Sequence, residues 1–208
     1  SWPHPAWVQD LAIVSNRDAF YTADAEGMIR RFGLSSKNKD RIGEVAWRVP
    51  GGAIHALTVQ PRSNDDGWCW LVTASRDGKV KRWGADGSDN FEFDSAGSNV
   101  VSLAHSPDGR MLACGDEAGN VTLWDMTDIS LSHTLRGHSR GVYALAFSPD
   151  GQILASASGG RWLQTSGEVK LWDTASGQVH ATLDGYTAPL AFRSDGLALA
   201  AGLDHERK

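Results

Sequence analysis

Short apolar runs, each the length of a strand, alternate with polar turns along nearly the whole chain, and they recur in groups. The first of each group is LAIVS, IHALTVQ, VVSLAHS or VYALAFS, beginning at Leu11, Ile54, Val100 and Val142. A second run follows a turn: SPDGRMLACG at 106–115 and SPDGQILASA at 148–157, with weaker copies SNRDAFYTA at 15–23 and RSDGLALAAG at 193–202. A third begins at EGMIRRFG, DGKVKRWG, AGNVTLWD or SGEVKLWD. Runs this short, bounded by Gly, Pro, Asp and Ser, read as β-strands rather than helices. Segments such as ILASAS are apolar or small throughout, as expected of strands covered on both faces.

The register of the third run is strict. A turn glycine precedes an aromatic residue by five positions in Gly27 and Phe32, Gly78 and Trp83, Gly119 and Trp124, and Gly167 and Trp172. Two residues after each glycine stands a β-branched side chain: Ile29, Val80, Val121 or Val169. The glycines lie 51, 41 and 48 residues apart, from Gly27 to Gly78, Gly119 and Gly167. A unit of about 40 residues with two enlarged loops accounts for this. One loop lies between Pro61 and Leu71, the other between Leu154 and Gly167. Lengthening a surface loop costs little closure entropy, so neither breaks the pattern.

These residues resemble the WD-repeat family, most clearly GHSRGVYALAFSPDGQILASASGG…SGEVKLWD at 137–173, with its Gly-His start, SPDG turn and Trp-Asp end. The resemblance implies an all-β fold, a β-propeller of four-stranded antiparallel blades, here as an incomplete ring. The blades it implies fall at 11–50, 51–97, 98–137 and 138–185, with EVAWRVP, NFEFDS, SLSHTL and QVHATL as their last-strand candidates, and an incomplete fifth at 186–208. The expectation is a piece of a longer polypeptide, or a ring whose remainder another chain supplies. In this family a His, a Ser or Thr, an Asp and the Trp can form a structural tetrad within a blade. The resemblance assigns structural repeat roles to Phe32, Trp83, Trp124, Trp172, His138 and Asp77. The last full blade offers His138, Ser156 or Ser158, and Trp172, but Ser166 stands at the Asp position. The blade of Trp83 offers Asp77 and Ser75 without a Gly-His start; that of Trp124 has Ala118 at the Asp position; the first has Glu26 and Phe32. Packing is expected to hold these blades more than a polar network.

Composition adds little against this. The 208 residues are 41% hydrophobic and 22% charged, with 23 glycines for turns and nine tryptophans for cores. The net charge of −5 argues against a nucleic-acid partner. No apolar run reaches the roughly 20 residues that span a bilayer, and no leader pattern opens the chain, so no membrane partner and a cytoplasmic location are expected. Cys69 and Cys114 read as buried free thiols. No metal-ligand spacing, phosphate loop or nucleophile elbow occurs, so no catalytic residue, metal or cofactor is expected. The two enlarged loops are the candidate partner-binding elements, through Trp162 in one and Trp68, Asp65 and Asp66 in the other. The functional expectation is a non-catalytic protein- or peptide-binding scaffold in a larger regulatory protein or assembly. The alternatives are a purely structural part of a multi-subunit complex, or an enzyme with a site at the channel mouth.

Overall fold

The computed structural model describes residues 6–14, 19–33, 45–61, 69–88, 91–93, 99–159 and 167–203. Every element among them is a β-strand or a turn. The chain divides into two compact units, Ser1–Val100 and Val101–Lys208.

The first unit holds two four-stranded antiparallel sheets, each in simple sequence order. One comprises β1 (Val8–Val14), β2 (Ala19–Asp24), β3 (Met28–Gly33) and β4 (Val45–Arg48). The other comprises β5 (Ile54–Gln60), β6 (Trp70–Ser75), β7 (Val80–Gly84) and β8 (Phe91–Phe93). The core lies between them: Ala12, Val14, Tyr21, Ala23 and Ile29 face Ile54, Leu57, Leu71 and Trp83. A half-buried carboxylate ties the two first strands together. Asp10 on β1 accepts the Leu57 N–H at 2.7 Å. Burial pushes its carboxyl up, against the hydrogen bonds from Leu57 and Leu11.

The second unit repeats the plan. Its third sheet holds β9 (Val100–His105), β10 (Met111–Asp116), β11 (Val121–Asp125) and β12 (Ser130–Leu135). Its fourth holds β13 (Val142–Phe147), β14 (Ile153–Ser158), β15 (Glu168–Asp173) and β16 (Val179–Asp184). A two-stranded sheet of β17 (Tyr186–Phe192) and β18 (Leu199–Leu203) follows. Ala113, Val121, Leu123 and Leu135 pack against Val142, Phe147, Leu154 and Trp172. Ser102 stands where Asp10 stands in the first sheet, and it too reaches the next first strand, donating to the Val142 carbonyl at 2.7 Å.

The repetition extends to irregularities. The ladders β1–β2, β5–β6 and β13–β14 slip at the same step, at Val8/Asp10, Ile54/Ala56 and Val142/Ala144. The ladders β11–β12 and β15–β16 slip at Leu123/Trp124 and Leu171/Trp172. Bulges of this kind add right-handed twist, which strands packed face to face require. Turn chemistry repeats as well. Ser106 and Ser148 each donate to the Asp two residues on, at 2.6 and 2.5 Å, and each Asp accepts the next turn N–H, from Arg110 and Gln152. The sequence expectation of four-strand blades and a shorter fifth sheet is the observed fold, and all four runs proposed as last strands form β4, β8, β12 and β16.

One turn departs from its repeat. Five residues after Trp172 comes Gly177, at φ +69°; five residues after Trp124 comes Ile129, held at φ +58°. A β-branched side chain in the left-handed region is sterically strained by about 1–2 kcal/mol. Ile129→Gly is therefore expected to stabilise the chain by about 1 kcal/mol net of glycine's entropic cost, read as a higher urea midpoint. An unchanged or lower midpoint means that packing of the isoleucine outweighs the strain.

Candidate functional site

Alternation along β14 and β15 places Leu154, Ser156 and Ser158 opposite Trp172, Lys170 and Glu168, all on one face. His138, in the segment between β12 and β13, reaches that face from outside the sheet. Four side chains then join in line. The Trp172 indole N–H donates to Ser156 Oγ at 2.7 Å. Ser156 Oγ lies 2.6 Å from His138 Nε2, and His138 Nδ1 lies 2.8 Å from Glu168 Oε1. A carboxylate only accepts, so the proton sits on Nδ1, and Nε2 accepts from the serine hydroxyl. The imidazole also meets the indole edge to face, with centroids 6.1 Å apart.

The electrostatics agree with a neutral imidazole. Burial holds His138 below the usual histidine range, and the opposing pull of Glu168 does not overcome it. Burial works to raise the Glu168 carboxyl, but the hydrogen bonds from His138 and Lys170 outweigh it and keep it below the usual carboxylate range. Lys170 Nζ takes the second carboxylate oxygen at 3.2 Å and the Thr182 hydroxyl at 3.3 Å.

The order Ser, His, Glu is that of a nucleophilic triad, but this arrangement cannot act as one. Ser156 is 0% exposed, and its oxygen already holds the Trp172 indole. No substrate carbonyl reaches an oxygen so placed. The chain of bonds locks a tryptophan against its own sheet.

The sequence expectation left this blade without its carboxylate, because Ser166 stands at the Asp position; Ser166 lies outside the described residues. The acid comes from Glu168, inside the strand. The period-two pattern of EVKLWD, which puts residues 168, 170 and 172 on one face, was the available signal. A second difference concerns Asp77 and Ser75. They bond each other at 2.6 Å, and Asp77 also caps the turn at the Lys79 N–H. The partner of the Trp83 indole is Thr73, at 2.9 Å. Thr73 occupies the place of Ser156 in its strand, as do Thr22 in β2 and Cys114 in β10. Burial pushes the Cys114 thiol up to about 12, so it sits there as a neutral group. Phe32, which has no N–H to donate, is buried and stacks on Phe20 at 5.0 Å. Trp124 is buried.

Trp162, Trp68, Asp65 and Asp66 lie outside the described residues. Among the described residues no three His, Cys, Asp or Glu side chains are grouped to hold a metal, and no helix is long and apolar enough to cross a membrane.

Residues 88–125 and 129–173 match the family described as "WD domain, G-beta repeat". The chain is 32% identical over 155 residues to the uncharacterized WD repeat-containing protein sll1491 of Synechocystis, covering 73% of this chain and 41% of that protein. It is 34% identical over 132 residues to the WD repeat-containing protein VIP3 of Arabidopsis thaliana, covering 63% and 39%. Its identity to the small ribosomal subunit protein RACK1y of Oryza sativa subsp. japonica is 29% over 143 residues, covering 64% and 40%. The chain thus spans less than half the length of these relatives.

Proposed function

We propose that this chain, whose residues 88–125 and 129–173 are WD repeats, is a non-catalytic protein-interaction module of a larger protein or assembly. The observation that carries this reading is where its polar chemistry lies. The one linked chain of hydroxyl, imidazole and carboxylate found among the described residues has its serine and imidazole buried and serves the packing of Trp172. What the sheets offer outward is a rigid frame for loops, and loops on rigid frames carry recognition. Trp162, Trp68, Asp65 and Asp66, in the two enlarged loops, are the proposed partner-binding residues. Relatives named for assemblies, a small ribosomal subunit protein and a pre-mRNA-processing factor homologue, support the same reading. Both cysteines are free and buried, in keeping with a cytoplasmic setting.

A second reading, a structural part of an assembly, draws on apolar side chains left open on the first sheet and on the two-stranded sheet. Leu11 and Ile13 on β1, and Leu203 on β18, are exposed. Further blades, from the same or another chain, would cover them.

Affinity purification of the tagged chain from its source separates the readings. The expected result is a co-purifying protein whose recovery falls at least about ten-fold with Trp162→Ala, at an unchanged melting temperature. Equal recovery with every loop variant would remove the loops from recognition and favour the structural reading. Substrate turnover that is lost on substituting channel-mouth polar residues would favour the enzyme.

A further inference from the structure

Two histidines of the second unit are built in so that each must be neutral. His138 accepts the Ser156 hydroxyl proton at Nε2 while donating from Nδ1. A proton on Nε2 would aim a second N–H at Ser156 Oγ, which already receives the Trp172 indole. The serine's own proton would then lose its acceptor in a fully buried place.

His105, at the end of β9, stands where Val59, Phe147 and Phe192 stand in the other first strands. Its Nδ1–H donates to the Met111 carbonyl at 3.3 Å. Its Nε2 is shut off from solvent and has no hydrogen-bond partner. A second N–H there would have nothing to donate to.

We infer that the unit Val101–Lys208 is an acid-labile element: protonation of His105 in β9 and of His138 beside β14 and β15 under mildly acidic conditions destabilises the sheets β9–β12 and β13–β16 in which they are set.

The charged groups around the two rings do not rescue them. Glu168 and Lys170, both on β15, are those that act on His138; the lysine opposes an imidazolium, and the glutamate is shared with that lysine. No ionised side chain acts on His105 among the described residues. Asp108, in the turn after it, is engaged by Ser106 and Arg110. Asp150, in the turn whose Gly151 lies beside Ser106, is engaged by Ser148 and Gln152.

The direction follows from linkage. Burial lowers His105 from 6.5 to about 4 in the folded chain. Its contribution is complete above the unfolded value and is lost progressively as pH falls from 6.5 toward 4. Between about pH 7.5 and pH 5 that residue alone lowers the folding constant by about 30-fold. His138, lowered in the same direction, adds to the loss.

The test is urea unfolding of the full chain at about pH 7.5 and pH 5, with hydrogen exchange resolving the strands. The expected result is a large drop in midpoint at pH 5, with β9–β16 losing protection. His105→Phe, which places in β9 the residue found at the same point of β13 and β17, should recover about 30-fold of the lost folding constant. Adding His138→Gln should recover most of the rest. A wild-type midpoint independent of pH over this range would overturn the inference, as would a drop left unchanged by His105→Phe. The single variant decides the matter even where the double variant does not fold.

Discussion

Trp172→Ala is expected to cost about 3–5 kcal/mol and to unfold the second unit near physiological temperature. The indole is 2% exposed and packs between the third and fourth sheets against Ala113, Val121, Leu123 and Leu154. Its removal loses the transfer free energy of a large aromatic and leaves a cavity that strands fixed by ladder bonds cannot collapse into. It also strips Ser156 of a donor, a further loss of about 1 kcal/mol. Trp172→Phe separates these effects. The first sheet carries Phe32 at the same repeat position, 1% exposed, so the frame accepts a phenyl ring there. The phenylalanine variant should lose no more than about 2 kcal/mol. Denaturant unfolding followed by far-ultraviolet circular dichroism measures both. Equal losses for the two would mean that the hydrogen bond, rather than the packed volume, dominates.

A comparable effect is expected from a much smaller change. Gly119→Ala should cost about 3 kcal/mol, although it adds one methyl group at a turn. Gly119 has φ +91°, and a Cβ there would lie 2.6 Å from the His138 carbonyl oxygen and 2.7 Å from that of Arg140. Both obstacles are backbone, so the 138–140 segment itself must move. That segment positions His138 between Ser156 and Glu168, and the shift breaks the chain that holds Trp172. Gly78→Ala is the control. It shares the left-handed backbone, at φ +82°, but a Cβ there meets nothing within 4 Å. Only conformational strain of about 1 kcal/mol is expected at that position. The difference between the two melting curves isolates the steric part. If both alanines cost the same, the carbonyls of 138 and 140 yield without loss.

Much of this architecture was legible in the amino-acid order. The five-residue step from glycine to aromatic located β3, β7, β11 and β15, and the SPDG segments located two of the second-strand turns. Local chemistry writes such features, since a tight turn needs particular residues at particular places. The polar site was less legible. Motif spacing put the acid position of the fourth blade at Ser166, which carries no carboxylate, and pointed to Ser75 and Asp77 in the second blade. The structure uses Glu168 in the first case and Thr73 in the second. A hydrogen bond needs only that donor and acceptor meet, and two residues along a strand return to the same face. Several positions can thus supply one group, and spacing along the chain does not choose among them.

The order of residues determined by itself that this chain forms repeated units of short strands with an aromatic residue in each, because strand length and turn residues are local properties repeated about every 40 residues; four strands to a blade followed from the resemblance those units carry. Tertiary structure alone decided which side chains complete the polar chain at Trp172, that Asp10 and Ser102 bind the next sheet, and that Nε2 of His105 is sealed without a partner. Those depend on how closely one sheet approaches the next, a distance set by the summed volume of side chains from separate repeats.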